Sequence, residues 1–203
     1  MNTNSTTIHK LMLAAAAAVF VWSLINPHDY FTWFLEVAPA IIAMVVILAT
    51  YKRFKLTTLV YGLIAIHAII LMIGGKYTYA EVPVFNWLRD IGIFARNNYD
   101  KVGHFVQGFV PAIVAREILI RTSPLKKGGW LFFIIVSICL AISAVYEIIE
   151  WLVSVATGGA GDSFLGTQGY VWDTQTDMAL ALVGAVAALI LLGRVHDKIL
   201  AKR

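Results

Sequence analysis

The chain has 203 residues, of which 60% are hydrophobic and only 14% charged, whereas a soluble domain carries about 25% charged residues. Together with a mean hydropathy of +0.78, this excludes an ordinary soluble protein. The formal charge of +4 is small enough to serve as membrane anchoring, and nothing in its distribution points to nucleic acid.

Six apolar stretches follow in chain order, each near the roughly 20 residues that cross the hydrocarbon core. They cover about 8–25, 30–50, 56–73, 102–120, 130–155 and 178–193. They are too long for barrel strands, and backbone groups in lipid must be satisfied internally, so each is expected to be a helix. In the first, His9-Lys10 precedes the apolar run from Leu11 to Ile25. Its small residues, Ala14 to Ala18, come before bulky Phe20, Val21 and Trp22 rather than after the run. A secretory cleavage site has the reverse arrangement, so a retained helix is expected. Asn26-Pro27-His28-Asp29 forms a tight turn into the second span, which carries Glu36 and the kink-prone Pro39. A short basic turn, Tyr51-Lys52-Arg53-Phe54-Lys55, leads to the third span, where His67 is expected to bond a neighbouring helix.

The segment from Gly74 to Tyr99 is a long loop, and long ordered loops usually carry function. Within it Val84, Phe85, Leu88 and Ile91 recur at helical spacing after Pro83, with Asn86, Arg89 and Asp90 off that face. A short amphipathic helix at the interface is predicted, serving as an anchor or as the wall of a site. The lone cysteine, Cys139, lies inside the fifth span and has a packing role. A second long loop, Thr157 to Thr176, is rich in glycine but lacks a Gly-Lys-Ser/Thr phosphate-loop ending. It is either a flexible connection or a lid. No repeat, soluble domain or low-complexity tail interrupts the pattern. The expected architecture is all-α, a single polytopic transmembrane domain of six helices.

Basic residues assign the sides. With the N-terminus inside, only Lys76, Arg89, Arg96 and Lys101 of the 16 Lys and Arg fall outside, so both termini are expected in the cytoplasm. The acids run the other way, since only Glu117 and Asp197 of the 12 lie near the inner face. Acids contribute little to topology, whereas a cation or proton-handling site on the outer side accounts for the bias.

Three motifs concentrate these acids. Asp100 and His104 are four apart at the start of the fourth span, so both can approach one point, with the carboxylate orienting the imidazole as ligand or base. Asp100 is otherwise a helix cap and the intervening Lys101 an interfacial side chain. Glu147 and Glu150 come late in the fifth span, Glu147 about 25 Å along from Trp130. Two close carboxylates in lipid need polar partners or a cation between them. Asp173 and Asp177 open the sixth span, where one Asp would serve as a cap and two on one face exceed that need.

The sequence Asp100-Lys101-x-x-His104-Phe105, then Glu147-x-x-Glu150, then Asp173-x-x-x-Asp177 with Gly184, resembles the VanZ-like membrane family, although Asp177 stands where that family has Asn. Over nearly its whole length the chain is similar to the YjdF-like bacterial inner-membrane proteins. That likeness includes Leu35-Glu36-Val37-x-Pro39-Ala40 and Phe164-Leu165-Gly166-Thr167-Gln168-Gly169 followed by Val171-Trp172-Asp173-Thr174-Gln175. It implies a multi-pass protein of the bacterial inner membrane with about six helices, and no reaction.

Three functions remain open. The first is an enzyme facing the outer leaflet, in which Asp100, His104, Glu147, Glu150, Asp173 and Asp177 hold Mg²⁺, Ca²⁺ or Mn²⁺. There His104, with Glu147, moves protons, and Lys101 pairs with an anionic group on a lipid-linked or amphiphilic substrate. The second is a cation- or proton-coupled transporter. The third is a non-catalytic membrane module whose acids only bond helices together.

Overall fold

A computed structural model describes residues 3–158, 164 and 167–202. Among these residues all regular structure is helical. The helices are α1 (Thr3–Leu24), α2 (Tyr30–Thr50), α3 (Thr58–Lys76), α4 (Pro83–Asp90), α5 (Tyr99–Thr122), α6 (Gly129–Thr157) and α7 (Asp173–Leu200). All but α4 are long and apolar enough to cross a membrane. The helices outrun the apolar stretches mainly at polar ends, since α5 begins at Tyr99 and α7 at Asp173, so both polar motifs there are helical. The chain divides into two compact units, Met1–Gly103 with Glu150–Val171, and His104–Ile149 with Trp172–Arg203.

In the first unit α1 and α2 each pack against α3. Trp33, Val37, Ala40, Ala68 and Met72 form the shared core. Trp33 Nε1 donates to Ser23 Oγ at 3.1 Å, so the indole satisfies its N–H while joining α1 to α2. Pro39 lies inside α2 without ending it. At the far end of α1, the Lys76 ammonium donates to the Ile25 and Trp22 carbonyls at 2.5 and 3.3 Å. A cation from α3 thus satisfies carbonyls that helix geometry leaves over at a C-terminus. His67 does not make the expected bond to a neighbouring helix through Nε2, which is buried with no hydrogen-bond partner among the described residues.

Asp29 caps α2 by accepting from the Thr32 N–H at 2.6 Å, and that bond holds its carboxyl below the ordinary value of 3.8. Because the folded-state value is depressed, the cap's contribution is complete above 3.8 and is lost as pH falls through the folded-state value. Asp29→Ala should lower stability at pH 7 by about 1 kcal/mol. The deficit against wild type should shrink in melts taken at progressively more acidic pH, and a deficit constant down to pH 2 would refute the cap's role.

The amphipathic helix predicted after Pro83 is present as α4, but its apolar residues divide. Phe85 turns inward onto Tyr79, Val82 and Tyr99, while Val84, Trp87 and Ile91 are exposed, as suits an interfacial anchor. Asn97 closes this region. Its Nδ2 donates to Val82 O and Asn86 Oδ1 at 3.0 and 2.8 Å, and its Oδ1 accepts from the Tyr99 N–H.

The second unit is built on the contact of α5 with α7. A Cβ at Gly108 would fall on the Ala181 carbonyl, and one at Gly184 on the Phe105 carbonyl. The two backbones therefore touch, as small residues permit in membranes. Ala181, Ala185 and Ala188 continue this face fully buried, and Ile113, Ile135 and Cys139 fill the core. The remaining faces display Phe133, Val145, Val183, Ile190 and Leu191, the surface that lipid covers.

Candidate functional site

His104 and Asp177 each lie one turn before the glycine contact, at Gly108 on α5 and at Ala181 on α7. The close approach of the backbones therefore brings their side chains together, with Nε2 of His104 3.8 Å from Asp177 Oδ2. From α6, Glu147 Oε1 stands 3.7 Å from Nδ1. Gln107 Oε1 lies 3.2 Å from the same nitrogen and accepts its proton, and the Tyr146 ring meets the imidazole edge-on. Both ring nitrogens therefore face oxygen acceptors. His104 and Glu147 are each 7% exposed and Asp177 is 2% exposed, so these charges sit where water does not screen them. At 3.7–3.8 Å the carboxylates are in ion-pair range but beyond hydrogen-bond length. A second proton or a cation is what reconciles the Nε2 edge with Asp177.

Asp173 begins α7 and is buried one turn before Asp177. Neither is the cap, since Trp172 holds that position without a side-chain bond. Nor is Asp100 the acceptor for the first N–H of α5, because Asn97 performs that task for Tyr99.

In the first unit a separate polar centre forms around Tyr79, a residue that the periodicity of the sequence did not single out. Thr78 and Tyr79 both adopt left-handed backbone, at φ 54 and 56, which is strained for such side chains. The turn drives the Tyr79 ring into a pit that exists because Gly74 and Gly103 have no Cβ; one at either position would strike the ring. Gly75 lets α3 approach α2 beside Glu36 and Val37. Burial raises the Tyr79 hydroxyl well above its ordinary value, and the negative charges of Glu36, Asp100 and Glu150 push it further. The phenol therefore remains a proton donor set among three carboxylates, each of which the sequence had marked. Lys101 Nζ is 3.1 Å from Asp100 Oδ2 and lies over the Tyr170 ring.

The glycine-rich connection is tied down where it is described. Arg96 Nη1 donates to Thr167 O at 2.6 Å and Gln168 Nε2 donates to Asn97 O at 2.9 Å, while the Arg96 guanidinium stacks on Tyr170. The Gly159-Ala160-Gly161-Asp162 segment and Leu165-Gly166, part of the expected flexible connection or lid, lie outside the described residues.

A family model described as "Predicted membrane protein (DUF2238)" matches residues 8–198. The chain belongs to this family. It is 48% identical over 194 residues to the inner membrane protein YjdF of Escherichia coli strain K12, covering 94% of this chain and 93% of that protein. No solved structure matches it. These comparisons do not show the likeness to the VanZ-like family. Membership and six apolar helices make this a multi-pass protein of the bacterial inner membrane, set in the lipid bilayer.

A second buried charged group in the second unit lies farther along α5 and α7. Arg116 Nη1 donates to His196 Nδ1 at 3.0 Å, which leaves the imidazole proton on Nε2 to bond Glu117 Oε2 at 3.1 Å. Arg121 bonds the other oxygen of Glu117, and Arg116 and Lys127 both reach Asp197. Glu117 and His196 are completely buried. The sequence reading missed this group, although Glu117 and Arg121, four apart, have the spacing of a helical ion pair. The role of His196 is visible only once α5 and α7 are aligned.

Proposed function

We propose that this protein is a membrane-embedded enzyme, opening toward the outer leaflet, that acts on a lipid-linked or amphiphilic substrate with a divalent cation. The observation that supports it is His104 held between Glu147 and Asp177, with an acidic oxygen on each side of the ring. Oxygen donors of Asp177, Glu147 and Asp173 suit Mg²⁺, Ca²⁺ or Mn²⁺. Such an ion would supply Lewis acidity toward a phosphoryl or carbonyl oxygen. His104 then transfers a proton to or from the reacting oxygen, and Glu147 and Asp177 fix the orientation of its ring. In the first unit, the carboxylates of Glu36, Asp100 and Glu150 around Tyr79 form a set of oxygen donors of their own, with Lys101 beside Asp100 as a partner for an anionic group.

Binding of Mn²⁺ to the purified protein in nanodiscs, followed by electron paramagnetic resonance, tests this. Asp177→Asn and Glu147→Gln should each weaken binding at least about tenfold, and His104→Ala should abolish turnover in protein that still folds. Wild-type protein that binds no more Mn²⁺ than the variants would sink the proposal.

One observation favours a second function. The Arg116–Glu117–His196 group gives the α5–α7 pair a second buried charged centre about 18 Å along α5 from His104, as a proton or cation relay requires. Proteoliposome flux that disappears with Glu147→Gln would favour transport over chemistry.

A further inference from the structure

The α1–α3 bundle contains an apolar cavity of about 200 Å³, remote in sequence from all the acidic motifs. Alanines from all three helices leave the space between the larger apolar side chains, with Ala16 from α1, Ala40 and Ala43 from α2, and Ala65 and Ala68 from α3. Apolar voids of this kind do not retain water, and in a bilayer the filling medium is hydrocarbon. The cavity follows α2 from Ala40 to Tyr51, which at the helical rise is about 16 Å. That is about half the ~30 Å hydrocarbon core, the depth of one leaflet.

The end of the cavity is polar and basic. It lies where α1 begins, α2 ends and α3 begins. His9 is fixed there by Tyr51 OH on Nδ1 at 2.8 Å and by Thr58 Oγ1 on Nε2 at 3.0 Å. Lys10 lines the opening, and Lys55 lies over the Tyr51 ring. Lys52 and Arg53 share that turn, and no Asp or Glu occurs before Asp29 or between Glu36 and Glu81. Within α1 to α3 the opening therefore carries basic groups and no acidic one, which makes it complementary to a negative headgroup.

We propose that this cavity is a binding site for one anionic phospholipid, with an acyl chain between α1 and α2 and the phosphate at Lys10 and Lys55. By the basic-residue rule the site faces the cytoplasmic leaflet. It does not depend on the acidic centres or on catalysis.

Native mass spectrometry of the full chain, from micelles with equal dioleoyl phosphatidylglycerol and phosphatidylethanolamine, tests the site. One phosphatidylglycerol should be retained per chain in preference to phosphatidylethanolamine. Lys10→Gln and Lys55→Gln should each reduce that preference about fivefold, and the double variant should bring it near parity with an unchanged melting temperature. Ala43→Phe, which fills the cavity, should remove both lipids; the lysine variants decide the matter should that protein fail to fold. Equal retention of the two lipids by wild type, or a preference untouched by the double lysine variant, would overturn the proposal. So would a dimer that forms in place of the lipid complex.

Discussion

Gly108→Ala is expected to lower stability by about 3 kcal/mol, at the upper end of the usual penalty for inserting one methyl group into a packed interior. The reason is what the methyl meets. It falls on the Ala181 carbonyl, a backbone atom that cannot rotate away as a side chain would. α5 and α7 must separate, and the displacement is felt one turn earlier, where His104 faces Asp177. The variant should therefore lose Mn²⁺ affinity as well as stability. Gly193 supplies the control, because a Cβ there meets nothing within 4 Å. Gly193→Ala should be neutral or stabilising by up to about 1 kcal/mol from helix propensity alone. Thermal unfolding of both variants in the same detergent checks the contrast. Equal melting temperatures would mean that the α5–α7 contact does not hold the unit together.

Glu117→Ala should destabilise the second unit by about 3–5 kcal/mol, the effect of removing one partner from a buried ion pair. The side chain is completely buried and accepts from both His196 and Arg121. Its loss takes from the Arg121 guanidinium and the buried His196 Nε2–H the carboxylate that they share. Disrupting the more exposed Lys127–Asp197 pair, whose side chains are 52% and 33% exposed, should change stability by about 1 kcal/mol or less. Denaturant titrations of Glu117→Ala and Lys127→Ala rank the two. A larger effect at Lys127 would overturn the assignment of the network's centre.

The membrane class was legible from composition, and the six apolar helices from run length, because the bilayer imposes one period and one length on every span. The ends were less legible. Apolarity stops at Val102 and Met178, but the helices begin at Tyr99 and Asp173 because Asn97 supplies an acceptor for α5 and Trp172 starts α7. His104, Glu147 and Asp177 could be marked from their cost in lipid, yet the close approach behind them depends on Gly108, which carried no signal, and on Gly184, which entered only through the VanZ-like resemblance. The orienting partners Gln107 and Tyr146 carried no signal, since uncharged polar residues are common in such helices. Tyr79 was hidden for another reason: a strained turn, not a periodic face, puts it in place. The inner group was legible as anchoring charge, and burial of Glu117 and His196 appears only when α5 and α7 are set side by side.

The Tyr79 pit also bears on the order of assembly. Its walls come from Gly74, which precedes the tyrosine, and from Gly103, which is made well after it. Tyr99, at the head of α5, adds an anchor by donating to the Ile70 carbonyl at 3.0 Å. While the chain is being synthesised from its N-terminus, the first three spans can enter the bilayer and pair, but the Tyr79 ring then has the Gly74 wall of its pit without the Gly103 wall. Only arrival of the fourth span closes the pit. The three-helix bundle is thus left waiting for its latch, and a released chain truncated before Gly103 should leave the Tyr79 ring more open to nitration than it is in the full chain.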